Sequence, residues 1–144
     1  ASKIRYWGLL LMKLFTFPID PGTTRNILIF KHFVIKLPRT CSWDLWEPNL
    51  SDFKASLAVN RLERKNIKQN PDVPGIPKLY FSDPFGFIII MKRYRKFDSV
   101  AQYVKLYDEL IKTSRLEKEF WEDDACIGNF GLDENNQIVK IDLG

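Results

Sequence analysis

The chain has 144 residues, 45% apolar and 28% charged, with 7 Gly and 8 Pro, which is the composition of one ordinary soluble globular domain and excludes a disordered or low-complexity segment. Its 22 Lys and Arg against 18 Asp and Glu leave a net charge of +4, a mild excess that favours anionic ligands without specifying one. The longest apolar runs, Trp7–Met12 and Phe85–Met91, are far shorter than the roughly 20 residues of a membrane-crossing helix, so no membrane partner is expected.

Lys3 and Arg5 precede Trp7–Met12 without the longer apolar stretch and small-residue cleavage site of a secretory signal, and the expectation is a cytoplasmic, unprocessed protein. Cys41 and Cys126 are too few for a disulfide framework, and with His32 they show no zinc-ligand spacing. The basic cluster Lys92, Arg93, Arg95 and Lys96 and the acidic one around Trp121 read as solvated faces, and no nucleic-acid-binding signature accompanies the charge.

In chain order, strands are predicted at Leu14–Ile19, at Ile27–Phe30 after the turn Asp20-Pro21-Gly22-Thr23, and at Phe33–Leu37, which Pro38 closes. After a Trp-rich connector, Ser51 is placed to cap a helix that runs to about Gln69, with Ala55, Val59 and Leu62 at helical spacing. Pro71, Pro74 and Pro77 stop its continuation. Strands Lys78–Phe81 and Phe87–Lys92 follow, joined by the turn residues Ser82-Asp83-Pro84-Phe85-Gly86. Together these segments predict about five antiparallel strands carrying one helix.

The next helix shows a capping-box pair, Ser99 and Gln102, and an apolar stripe of Val100, Tyr103, Val104, Tyr107, Leu110 and Ile111 that ends near Thr113. A short amphipathic piece, Arg115–Trp121, leads to an irregular stretch and a hairpin, Phe130–Leu132 and Ile138–Ile141, turned by Asp133-Glu134-Asn135-Asn136. The layout is α+β, in one continuous unit over residues 1–144.

Asp124, Asn129 and Asp142 fall at loop and strand ends of this last hairpin, the arrangement in which hard oxygen ligands can hold Mg²⁺ and leave room for phosphate oxygens. Asn129 follows Asp124 by five residues and Asp142 follows it by 18. Together with the run Ile127-Gly-Asn-Phe-Gly through Ile141-Asp-Leu-Gly144, this spacing resembles the catalytic loop and metal-binding Asp of the protein kinase-like superfamily, in particular its aminoglycoside phosphotransferase-like members.

In the N-terminal half, Phe33-Val34-Ile35-Lys36 resembles the family's Lys-bearing third strand. By itself Lys36 reads as an edge lysine reaching to solvent. Glu63 shares the inward stripe of its helix, where a charge needs a partner; Lys36 is the candidate, a surface pair with Arg64 or Lys65 is the plainer reading, and Glu47 is a second family equivalent.

The resemblance covers Leu14 to Gly144 and implies a kinase-like N-lobe over 1–92, a hinge over 93–97 and a reduced C-lobe of one or two helices over 98–144. It implies ATP and Mg²⁺ as cofactors, with Lys36 on the α/β-phosphates, Glu63 orienting Lys36, and Asn129 and Asp142 as metal ligands. Asp124 would be the catalytic base, Met91 would end the fifth strand near the adenine pocket, and the backbone of Lys92–Arg95, Arg93 included, would read adenine. The acceptor would be a protein or small-molecule hydroxyl. The sequence departs from the family at Pro21-Gly22-Thr23-Thr24, where several glycines are usual, and at Glu122-Asp123, where His is usual. The alternative reading is therefore an inactive kinase-like interaction protein, covered by a protein partner or by a second copy of itself.

Overall fold

The computed structural model describes residues 25–39 and 50–144. The expected strand Leu14–Ile19, the turn after it, the Trp-rich connector, Cys41 and Glu47 lie outside the described residues. Four strands, β1 (Arg25–Ile29), β2 (Phe33–Pro38), β3 (Leu79–Ser82) and β4 (Ile89–Lys92), form an antiparallel sheet in the order β1-β2-β4-β3. Helix α1 (Leu50–Gln69) falls between β2 and β3 in sequence. The chain continues through α2 (Val100–Thr113), α3 (Lys118–Glu122), a 3₁₀ turn at Ile127–Asn129, and the two-stranded β5 (Phe130–Leu132) and β6 (Ile138–Lys140).

Register decides which side chains share a face. Pro38 lies opposite Arg25, Lys36 opposite both Ile27 and Ile89, and Val34 opposite Ile29 and Met91. Because strand side chains alternate, Arg25, Ile27, Lys36, Pro38, Ile89 and Met91 project to one side of the sheet. Ile89 and Met91 are fully buried there, and Arg25 and Lys36 are buried among them.

Helix α1 covers this face with an unexpected side of itself. Ala55 and Leu62 are exposed and Val59 is half-buried, whereas the buried positions are Ser56, Asn60, Glu63 and Ile67, spaced as one helical stripe. The apolar period of the sequence thus points away from the sheet. The reason lies opposite the helix, where Arg25 and Lys36 demand polar partners that Asn60 and Glu63 supply. The helix begins at Leu50, so Ser51 sits in its first turn and not at the cap.

The β3–β4 turn is tied to the same interface. Asp83 accepts hydrogen bonds from the Phe85 amide at 3.0 Å and the Ile88 amide at 2.7 Å, and Asn60 Nδ2 donates to the Gly86 carbonyl at 2.8 Å. Gly86 has φ +91° and packs so closely on α1 that a Cβ would strike the Leu57 carbonyl.

The second half has a separate apolar core: Val73, Leu110, Trp121, Phe130 and Ile138, with Tyr103, Leu106, Tyr107, Ile111 and Phe120 packed around them. The α2 stripe is shallower than its sequence suggests, since Val100 and Val104 are exposed. Ser99 caps the helix by accepting from the Gln102 amide at 3.1 Å, while the Gln102 side chain reaches the amide of Asp98 and not that of Ser99. Arg95 and Leu132 exchange backbone hydrogen bonds of 2.9 and 2.8 Å, joining the connector after β4 to β5.

Candidate functional site

The two halves meet at a polar cluster. Strand β2 carries Lys36 onto the buried face and α1 carries Glu63 to meet it, with Lys36 Nζ 2.5 Å from Glu63 Oε1. Lys36 also donates to the Ile141 carbonyl at 2.6 Å. Lys36 is buried in a central strand with neighbours on both sides, so the edge-lysine reading does not apply. Nor does the surface pairing of Glu63 with Arg64, because Glu63 is fully buried and Arg64 donates to Ser82 Oγ at 3.0 Å.

A third charged residue, Arg25 of β1, completes the cluster. Its guanidinium is hydrogen-bonded to Glu63 Oε2, to Asn60 Oδ1 at 3.0 Å and to Asp142 Oδ1 at 2.9 Å. Glu63 therefore gives one oxygen to each cation, and Asp142 is held through one oxygen only. Asn66 of α1 adds a bond to the Leu143 carbonyl at 2.7 Å, so the helix and the sheet both grip the Ile141–Leu143 segment.

Electrostatics follow burial. Burial pushes the Lys36 ammonium below its ordinary pKa, with Arg25 adding to the shift and Glu63 and Asp142 opposing it. Burial alone would push Glu63 up, but the adjacent Lys36 and Arg25 outweigh it and hold the carboxyl below its ordinary range. The cluster balances two cations against two carboxylates, which is the condition for keeping such groups inside a protein.

Asp124 and Asn129 form a second pair. Asn129 Nδ2 donates to the Asp124 carbonyl at 2.8 Å and to its carboxylate at 3.1 Å, holding Asp124 in a left-handed conformation with φ +49°. The Ile141 amide donates to the Asn129 carbonyl at 2.9 Å, which sets Asn129 beside the segment that carries Asp142. With Nδ2 committed to Asp124, the amide oxygen of Asn129 is left as an acceptor, as is the second carboxylate oxygen of Asp142. This pair of hard oxygen donors is the kind that holds Mg²⁺ when phosphate oxygens and water complete the shell. Among the described residues no cluster of three or more His, Cys, Asp or Glu forms a self-sufficient metal site.

A cavity of about 560 Å³ lies against these groups, lined by Asn66, Asp123, Asp124, Lys140, Asp142 and Leu143 with neighbouring residues of α3. Among the described residues Lys140 is its one cation; it donates to the carbonyls of Phe120 at 3.0 Å and Asp123 at 2.6 Å, and its pKa is lowered by burial against the opposing pull of Asp123, Asp142 and Asp124.

The segment expected to read adenine is arranged differently from the rest. Met91 is buried in the sheet. The amides of Lys92, Arg93 and Arg95 already donate to the carbonyls of Lys78, His32 and Leu132, and the Arg93 side chain donates to the Phe30 carbonyl at 3.1 Å. Those three amides are therefore committed within the protein.

Sequence reasoning missed Arg25, Asn60 and Lys140. Arg25 precedes the apolar run from which β1 was placed, and Lys140 sits in a hairpin strand where a lysine is ordinary. No protein-family model, curated protein or solved structure matches this chain. Among the described residues no helix is long and apolar enough to cross a membrane.

Proposed function

We propose that this protein binds Mg·ATP between its sheet and its second half, as a kinase-like phosphotransferase acting on a protein or small-molecule hydroxyl. The observation that carries the reading is the buried Lys36–Glu63 pair hydrogen-bonded directly onto the Ile141–Asp142 segment. A lysine on a central strand, a glutamate on the following helix and a carboxylate at the end of a hairpin converge from distant parts of the sequence. The order of strands, helices and loop along the chain supports it, since it is the order that the family resemblance implies.

On this reading Glu63 and Arg25 fix the Lys36 ammonium beside the site, where it neutralises phosphate charge. Asn129 and Asp142 supply two oxygens to the metal. A Mg²⁺ held there would supply charge neutralisation to the phosphates as the γ-phosphoryl group passes to the acceptor hydroxyl. Asp124, exposed and oriented by Asn129, takes the proton of the acceptor hydroxyl. The second reading, an inactive interaction protein, is favoured by the Arg25 contact on Asp142, which occupies one oxygen of the proposed metal ligand.

Calorimetric titration of Mg·ATP into the protein and into Asp142→Asn and Lys36→Met variants separates the two. Magnesium-dependent binding in the micromolar to low-millimolar range, lost in both variants, is the expected result. No heat and no change in melting temperature at millimolar Mg·ATP refutes the nucleotide reading and leaves the interaction reading.

A further inference from the structure

Lys140 is a buried cation that, among the described residues, feels the charge of Asp123, Asp124 and Asp142 but has no carboxylate oxygen in ion-pair contact. Its side chain leaves β6 across the apolar core, with Nζ 5.9 Å from the ring centres of Phe120 and Phe130, and it is nearly inaccessible to solvent. Buried charges are normally paired, because an isolated one is costly. Arg25 and Lys36 obey this rule through Glu63 and Asp142, but among the described residues Lys140 makes no ion pair. Two of its three N–H donors go to the carbonyls of Phe120 and Asp123, and among the described residues the third has no acceptor.

The cavity beside Lys140 selects the kind of anion that can complete it. Among the described residues, Glu119, Glu122, Asp123, Asp124 and Asp142 line the same space, against Lys140 as the one cation. A bare anion is repelled by this wall, and a divalent cation held between its carboxylates and the phosphoryl oxygens would offset that repulsion. Asp142 offers a free oxygen to such a cation, and Asp124 stands on the same cavity for the acceptor.

We propose that the Lys140 ammonium binds the terminal phosphoryl group of the nucleotide, an assignment that rests on the Mg·ATP reading above. Lys140 then serves the group that is transferred. The consequence is discrimination between ATP and ADP. The protein holds Mg·ATP about tenfold tighter than Mg·ADP, equivalent to about 1.4 kcal/mol, and this preference depends on Lys140.

The test is calorimetric titration of Mg·ATP and Mg·ADP into the protein and its Lys140→Gln, Lys140→Met and Lys140→Arg variants, each checked for folding by circular dichroism. Lys140→Gln keeps donors for the Phe120 and Asp123 carbonyls while removing the charge. The expected result is an unchanged Mg·ADP affinity with loss of the ATP preference in the Gln and Met variants, and retention of that preference in Lys140→Arg. A preference that persists in Lys140→Gln, or Mg·ADP affinity that falls in step with that for Mg·ATP, overturns the assignment and leaves Lys140 as a support for α3. If the unaltered protein binds neither nucleotide, the Mg·ATP reading falls first and this assignment with it. Binding of both nucleotides with equal affinity refutes the Lys140 assignment alone.

Discussion

Replacing Glu63 by Gln keeps the side chain's length and removes one charge at the centre of the cluster. Arg25 and Lys36, whose side chains are 3% and 5% exposed, then face each other with only Asp142 for compensation, itself 35% exposed and, among the described residues, ion-paired with Arg25 alone. The new amide nitrogen of Gln would also point a donor at a cation. Removing one partner of a buried ion pair costs about 3–5 kcal/mol, and the presence of two stranded cations places Glu63→Gln at the upper end. Lys36→Met is milder. It leaves the Arg25–Glu63 pair intact and forfeits hydrogen bonds to Glu63 and the Ile141 carbonyl, a loss of about 1–3 kcal/mol. Urea unfolding followed by far-ultraviolet circular dichroism measures both, and Glu63→Gln is expected to lose about twice what Lys36→Met loses. A Glu63→Gln loss under about 1 kcal/mol, or one no larger than that of Lys36→Met, refutes the view of Glu63 as the hub of the cluster.

Further outcomes follow from the same geometry. The Glu63 carboxyl is held below its ordinary value of 4.5, so its contribution to stability is complete above about pH 4.5 and is lost as pH falls toward the lower folded value; urea midpoints measured against pH should drop there, and the drop should be shallower in Glu63→Gln. Gly86→Ala forces a side chain into φ +91° against the Leu57 carbonyl and should cost about 2 kcal/mol or more, read as a lowered melting temperature. Ser99→Ala removes the acceptor for the Gln102 amide and should cost about 1 kcal/mol by the same measurement. On the nucleotide reading Asn129→Ala abolishes the magnesium dependence of ATP binding while leaving the melting temperature nearly unchanged, since Asn129 is bonded mainly to exposed Asp124.

The elements that carry their own local signal were legible in the sequence. The β-branched runs gave β1, β2 and β4, the Asp83–Gly86 turn gave the β3–β4 hairpin, and the cap at Ser99 with the end near Thr113 gave α2. The face of α1 was not legible, because hydrophobic periodicity is the signal for a buried helix face and here the buried face is polar. Ala55 and Leu62 keep the helical period but point outward. Glu63 stands out because it falls on the stripe of Ala55 and Val59, but it is buried for another reason: Ala55 is exposed, and Glu63 turns inward with Ser56, Asn60 and Ile67. Arg25 does not stand out, since an arginine two residues before an apolar strand is indistinguishable from a turn flank until the register sets it opposite Pro38 and over Glu63. The committed amides of Lys92, Arg93 and Arg95 were invisible for a related reason, as backbone pairing partners depend on which strands lie alongside.

The way the two halves are joined bears on what the cluster can do. An apolar interface resists sliding only through shape, whereas this one is fixed by directional bonds: Lys36 to the Ile141 carbonyl, Asn66 to the Leu143 carbonyl and Arg25 to Asp142. The first two end on backbone oxygens and hold the segment whatever the charge on Asp142. The third ends on the carboxylate itself, and Arg25 keeps Glu63 and Asn60 as partners if it lets go. Releasing Asp142 therefore strands no buried cation, because the guanidinium stays paired with Glu63. On the nucleotide reading this is the ion pair that a metal at Asp142 must compete with, and it is the one contact of the three that can open while the rest of the interface remains bonded.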